Sequence, residues 1–446
     1  MNSSAHRAAV VGLVVTAALV VAAVLVPPLF DWQVWPRVHL DDGTFAPLHG
    51  YPQVKLGIGT LPAVLLAFAA LRWADPLARR LPWRRLLLVA YAAGLVWLLA
   101  LALVDGPDGL SRVLGNPTEY LETARSVDDV PGLLQEYVSR IPYDAPAGNW
   151  PVHIAGHPPG MVLFFVLLVK VGLGGDLAAG VVVTVIAATL PLAVMTTVRA
   201  LGAEDAARAA APYLVLSPSA VFLAVSADAV MAVAVAWGMC CLALACRAGA
   251  GRGWPWAVLT GLLLGYVVMM SYGLPLTGVL ALAVLWLGRG WWVLPVAAAS
   301  ALAVVLTFAA GGFAWWDAYP VLVERYWDGI AHQRPGAYWT WGNLAALAIS
   351  AGPLVGAGLG ATWAARRDRA DRADRVIVVL VAAAIVMVAL ADASQMSRAE
   401  VERIWLPFIP WLTLGCALLP DRWRRPGLAL QLVTALLVQH LLYTSW

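Results

Sequence analysis

Apolar residues in this chain come in long blocks separated by short polar breaks, from one end to the other. Blocks of about 20 apolar residues are the length of a membrane-crossing helix. Read this way, the pattern predicts thirteen spans, near 9–30, 56–72, 86–104, 177–198, 208–225, 227–246, 254–270, 274–288, 291–310, 341–364, 376–392, 405–420 and 426–443. One block does not fit. "GMVLFFVLLVKVG", 160–172, is apolar but too short to cross a hydrocarbon core about 30 Å thick. It is predicted to be an interfacial helix, with Lys170 reaching toward the headgroups.

Composition agrees with the pattern. The chain is 61% apolar and 12% charged with 22 Trp and a mean hydropathy of +0.78, whereas soluble domains carry about 25% charged residues. The fold class implied is an all-α polytopic membrane protein, multi-pass in the inner (plasma) membrane. The first apolar run follows Arg7 without a small-residue cleavage site, so it reads as a retained span. Net charge is +3 with the basic residues in short clusters, which gives no surface for nucleic acid. Cys240, Cys241, Cys246 and Cys416 all lie in apolar runs and show no metal or disulfide spacing.

Arginine placement orients the spans. With the N-terminus inside, nineteen of the 29 basic residues fall on the cytoplasmic side, including "RRDRADRADR" and "RWADPLARRLPWRR". Crossing at 160–172 would reverse that order. The outside then receives loop 31–55 with Asp41 and Asp42, the stretch 105–176, the turn "SADAV", the loop 311–339 and the segment 392–405. Long loops without a soluble domain are usually functional. In 105–176, Asn116-Pro117-Thr118-Glu119 is predicted to start a helix, with Asn116 or Thr118 as cap and Glu119 at its positive end.

Farther along come Glu119-Tyr120-Leu121 with Ala124-Arg125, then His157-Pro158-Pro159, a short apolar helix and Gly172-Leu173-Gly174. "LVLSPSAVFLAVSADAVMAVAVAW" follows, and "ERIWLPFIPWL" comes late in the chain. In this order the motifs resemble the membrane glycosyltransferases of the C superfamily (GT-C), most closely the protein-mannosyltransferase and lipid-sugar-transferase branch. The resemblance covers roughly 86–440 and divides the chain into an N-terminal hairpin, 1–85, and a GT-C-like module, 86–446. It implies a polyprenyl-phosphate sugar donor, a lipid, glycan or protein acceptor of the cell envelope, inversion at the anomeric carbon, and a site on the extracytoplasmic face in loop 105–176 with its juxtamembrane helices. The chain departs from the family in having Thr118 before Glu119, Gly160 after the two prolines, and Trp405 in place of Tyr. The first departure weakens any two-carboxylate metal site at 118–119.

The chemistry required matches these residues. Sugar transfer from a lipid phosphate needs a base for the acceptor hydroxyl and positive charge on the departing phosphate. A phosphate leaves with little protonation, so one carboxylate suffices. Glu119 is the expected catalytic base. Tyr120, Arg125, His157, Asp228, Glu402 and Arg403 are the expected substrate-binding residues, Arg403 for its planar fork toward phosphate. The residues imply no certain cofactor; a divalent metal is the one candidate, and His153 and His157 could hold it or hydrogen-bond the donor phosphate. Structural readings compete: Arg403 paired with Glu400 or Glu402, Asp228 as a helix cap, and Trp315, Trp316, Trp327 and Trp339 as an interface belt. A lipid transporter or flippase is the rival function, and a non-catalytic GT-C-like assembly subunit is another. The predicted spans carry almost no charge, which argues against ion coupling.

Overall fold

The computed structural model describes residues 3–36, 46–366 and 371–444. Asp41 and Asp42 lie outside the described residues. Among those described, nearly every ordered element is a helix, apart from an antiparallel ribbon that pairs Gly50–Pro52 with Leu442–Thr444. Seven helices are long and apolar enough to cross a membrane: Ser4–Leu29, Thr60–Arg80, Trp83–Leu110, Asp176–Ala200, Ala227–Arg252, Val293–Ala310 and Arg372–Ala393. The bent pair Gly336–Ala351 and Leu354–Ala365 makes eight if counted as one span. The protein is thus an α-helical membrane protein.

Seven of the thirteen expected spans coincide with these helices. Five others fall on shorter or more polar ones. Trp254–Val268 has 15 residues, about 22 Å of helix, and Leu274–Gly288 and Ile409–Leu418 are also short. The run 208–225 breaks where helix Glu204–Val215 ends before Pro218. Arg424–Leu441 buries Gln431 and Gln439 among its apolar residues.

The remaining run, 341–364, was expected as one span and falls on this helix pair, which is bent by 102°. Gly352 at the break has φ +84, and Pro353 offers no N–H to continue the ladder. The buried Gln431 amide closes both sides of the gap, donating to the Ala351 carbonyl at 2.8 Å and accepting from Leu354 N–H at 3.3 Å. A buried break would otherwise leave these backbone groups unpaired.

The first helix is packed into the body against Leu354–Ala365. A Cβ at Gly12 would stand 2.1 Å from the Gly356 carbonyl oxygen, and one at Gly360 2.0 Å from that of Ala8. Such close backbone approach is how helices associate where no hydrophobic effect drives them together.

Between Leu110 and Asp176 no helix exceeds the 11 residues of Gly160–Lys170. That helix is about 16 Å long, short of the hydrocarbon thickness. It buries Met161, Val162, Phe165 and Val166 and exposes Lys170. Its start is fixed by two hydrogen bonds, from Gly160 N–H to the Met269 carbonyl and from the Tyr266 hydroxyl to the Gly160 carbonyl, each 2.7 Å. A Cβ at 160 would lie 2.3 Å from the Met269 oxygen. This contact accounts for glycine after Pro158-Pro159.

Candidate functional site

The turn leading to Glu119 is built by Asn116. Its side-chain oxygen accepts from the backbone N–H and the hydroxyl of Thr118, both at 3.0 Å, and its carbonyl accepts from Glu119 N–H at 2.9 Å. The helix itself is Tyr120–Arg125, so Glu119, rather than Asn116 or Thr118, occupies the cap position. Its carboxylate makes no capping bond. Instead it turns inward and is only 3% exposed. Tyr120 anchors the turn, its ring stacked on Phe165 at 5.8 Å and edge-on to His157 at 5.9 Å.

What Glu119 meets is Arg403, itself 4% exposed and 284 residues away in sequence. Arg403 Nη1 donates to Glu119 Oε1 at 2.8 Å, and Nε stands 3.3 Å from Asp228 Oδ2. His153 closes a ring. Its Nδ1 lies 3.2 Å from Arg403 Nη2 and its Nε2 3.4 Å from Glu119 Oε1. A guanidinium can only donate, so Nδ1 holds the lone pair and Nε2 the proton. Glu119 Oε1 thus faces two donors, while Oε2 is buried with no hydrogen-bond partner among the described residues. Asp228 is not the cap of its helix. Ser226 is, its hydroxyl accepting from Asp228 N–H and donating to Asp228 Oδ2, each at 3.1 Å, and the same carboxylate oxygen faces Arg403.

Burial and the nearby Arg403 charge push His153 down to about 3, so it is neutral at physiological pH. Burial also lowers His157, whose Nδ1 sits 2.7 Å from the His153 carbonyl. That nitrogen must donate, which makes Nε2 of His157 an acceptor for a hydroxyl rather than a ligand for phosphate. Burial disfavours the Arg403 cation, but Asp228, Glu119 and Glu400 outweigh it and raise its pKa. Burial likewise disfavours the Glu400 carboxylate, yet Arg334, His49 and Arg403 hold it down to about 2.

A cavity of about 390 Å³ opens beside this cluster. His153, His157, Asp228, Glu400 and Arg403 line one part of it, and Leu274, Leu276, Leu390 and Phe408 another. Glu119 is not a lining residue; it stands behind Arg403 and His153. Three further arginines reach the cavity, Arg325, Arg334 and Arg398. No family model matches the chain. No curated protein matches it either.

The sequence reading missed those three arginines. Their signal was their position, since they lie in predicted outside loops where arginine is disfavoured. Arg334 donates to the Trp35 carbonyl at 2.9 Å and lies 3.3 Å from Glu400, and Arg398 donates to the Arg334 carbonyl at 2.6 Å. The turn carrying Arg398 and Glu400 is strained. Gln395, Ala399 and Glu400 all have positive φ, 55°, 72° and 63°, a conformation that non-glycine residues keep only where their surroundings enforce it. Asn343 enforces it here, bonded to Asp392, to the Ser397 carbonyl and to Ala399 N–H.

Other expected residues are placed elsewhere. Arg125 binds the Gly174 carbonyl at 2.8 Å and pairs with Asp176, tying the helix Tyr120–Arg125 to the end of the 105–176 stretch. Glu402 is wholly buried and accepts from His49 N–H at 3.2 Å. Neither lines the cavity. Among the described residues no group of three or more His, Cys, Asp and Glu could hold a metal ion, and the guanidinium between the carboxylates would repel one. Trp339 is fully buried and donates to the Val34 carbonyl at 2.7 Å, so it is a packing residue rather than part of a belt.

Proposed function

We propose that the protein is a glycosyltransferase of the plasma membrane, moving a hexosyl or pentosyl unit from a polyprenyl phosphate to a cell-envelope acceptor on the extracytoplasmic face. One observation carries the reading: a buried carboxylate, Glu119, is held against a guanidinium, Arg403, at the edge of a cavity that is apolar in one part and cationic in another. Such a cavity suits a lipid phosphate, with the polyprenyl chain against the leucines and the phosphate on arginine. The resemblance to the C superfamily points the same way.

In the reaction the acceptor oxygen attacks the anomeric carbon opposite the phosphate. The carbon–oxygen bond to phosphate breaks as the new glycosidic bond forms, which inverts the centre. Arg403 takes up the negative charge of the leaving phosphate. Glu119 takes the acceptor proton, and Oε2, which has no hydrogen-bond partner among the described residues, is the oxygen suited to receive it. A base must reach its substrate. Glu119 sits behind Arg403 and His153, so the ring must open, and a phosphate drawing Arg403 toward the cavity would open it. Asp228 and His157, neutral and accepting at Nε2, are available to sugar or acceptor hydroxyls.

The test is transfer by purified protein. Given hexosyl and pentosyl polyprenyl phosphates with a cell-envelope glycolipid extract, the wild type should release polyprenyl phosphate and Glu119→Gln should release it at least about 10²-fold more slowly. Release from no donor, or equal release by both proteins, would remove the proposal.

A further inference from the structure

Three aromatic rings meet at the cavity. Trp315 and Tyr319, one turn apart on helix Trp315–Asp328, are stacked with centroids 5.2 Å apart and planes at 7°. Tyr272, from the turn after helix Trp254–Val268, lies against them at 5.5 and 5.8 Å. Tyr272 and Tyr319 line the cavity, and Trp315 backs them. Two polar atoms in this cluster, the Tyr272 hydroxyl and the Trp315 indole nitrogen, are buried and have no hydrogen-bond partner among the described residues. Buried polar groups in folded proteins are nearly always paired, and an exception calls for an explanation.

Packing explains stacked rings but not the hydroxyl, because phenylalanine at 272 would pack as well without an unpaired oxygen. Anchoring at a membrane interface explains Trp316, 53% exposed, but not Trp315, whose nitrogen is buried. A ligand with an apolar face and a rim of hydroxyls accounts for the exposed faces of the tyrosine rings and for the Tyr272 hydroxyl together. A sugar ring is such a ligand: its C–H face lies on an aromatic ring while its hydroxyls both donate and accept. A quaternary ammonium headgroup would use the rings alone and leave the Tyr272 hydroxyl unpaired. Phosphate is served by the arginines of the same cavity.

We propose that Tyr272 and Tyr319, backed by Trp315, form a carbohydrate subsite that takes the sugar ring of the lipid-linked donor. The inference rests on the glycosyl-transfer reading and adds the place of the sugar within the cavity. A small rotation of Tyr272 would bring its hydroxyl to the cavity its ring already lines, where a sugar hydroxyl pairs with it.

The experiment compares two probes by titration of the purified full-length protein: a polyprenyl monophosphate, and the same lipid carrying mannose or arabinose. Tyr272→Phe keeps the ring and removes only the hydroxyl. It should weaken binding of the better-bound sugar lipid about tenfold and leave the bare phosphate within twofold. Tyr319→Leu should weaken the sugar lipid at least as much, again sparing the bare phosphate. Equal weakening of both lipids, or no change in either, overturns the subsite while leaving glycosyl transfer standing. Wild-type protein that binds neither lipid overturns the glycosyl-transfer reading and the subsite with it.

Discussion

Replacing Glu119 with glutamine should separate binding from chemistry in opposite directions. The amide keeps the shape of the side chain and can still accept from Arg403, but the charge is gone. A hydrogen bond to a charged partner contributes about 1.5–3 kcal/mol net and a neutral one about 0.5–1.5 kcal/mol. The 2.8 Å contact between Arg403 Nη1 and Glu119 Oε1 therefore weakens by about 1–1.5 kcal/mol. Arg403 must loosen this contact to hold a phosphate from the cavity, so a weaker contact should tighten donor binding by about tenfold. Turnover should fall by about 10²-fold or more, the contribution of one general base. Donor affinity is read by fluorescence titration with a polyprenyl-phosphate sugar, and turnover by mass spectrometry of released polyprenyl phosphate. Unchanged or weaker affinity together with near-normal turnover would refute both the competition for Arg403 and the base. Asp41 and Asp42 would then be the next carboxylates to examine.

Three further outcomes follow from the same geometry. The His153 pKa is held down to about 3 by burial and Arg403, against about 6.5 in the unfolded chain. Acidification therefore protonates the unfolded state first and lowers stability from pH 6.5 toward 3, by up to about 1.4 kcal/mol per pH unit; lowered His157 adds in the same direction. His153→Gln should flatten the thermal-stability profile in detergent between pH 6.5 and 5, and an unchanged slope would contradict the assignment. Gly160→Ala pushes a methyl group to 2.3 Å from the Met269 oxygen and should cost about 1–3 kcal/mol, seen as a lower melting temperature; wild-type stability would show that the contact yields freely. Cysteines placed at 148 and 175 should both react with an impermeant reagent on intact cells, and protection of 175 alone would mean that helix Gly160–Lys170 crosses and later spans are inverted.

The membrane class and the positions of seven spans were legible because a run of 20 apolar residues has one common explanation. The other runs fold as shorter, bent or more polar helices for tertiary reasons. Gly352-Pro353 lies inside a run read as one span, and the break holds because Gln431, far along the chain, satisfies the broken backbone. Glu119 and Arg403 were both selected by motif, and Asp228 with them, but nothing local shows that the three side chains meet. That pairing depends on helices brought together across 284 positions. Glu119 was read as a carboxylate favouring a helix start, whereas its side chain ignores the helix and faces the guanidinium. His153 was read beside His157 as a ligand for metal or phosphate, and its place between Arg403 and Glu119 had no sequence signal. Arg125 and Glu402 show the converse: residues in motif register whose contacts fix the scaffold.

The most direct measurement of the central claim is native mass spectrometry of the protein released gently from membranes of cells that make the envelope glycan. Wild-type protein should carry a polyprenyl phosphate, bare or with one hexose or pentose, and Arg403→Ala should lose it while remaining folded. Ordinary phospholipid alone on the wild type, or a polyprenyl phosphate retained equally by Arg403→Ala, would contradict a lipid-phosphate donor held at this site.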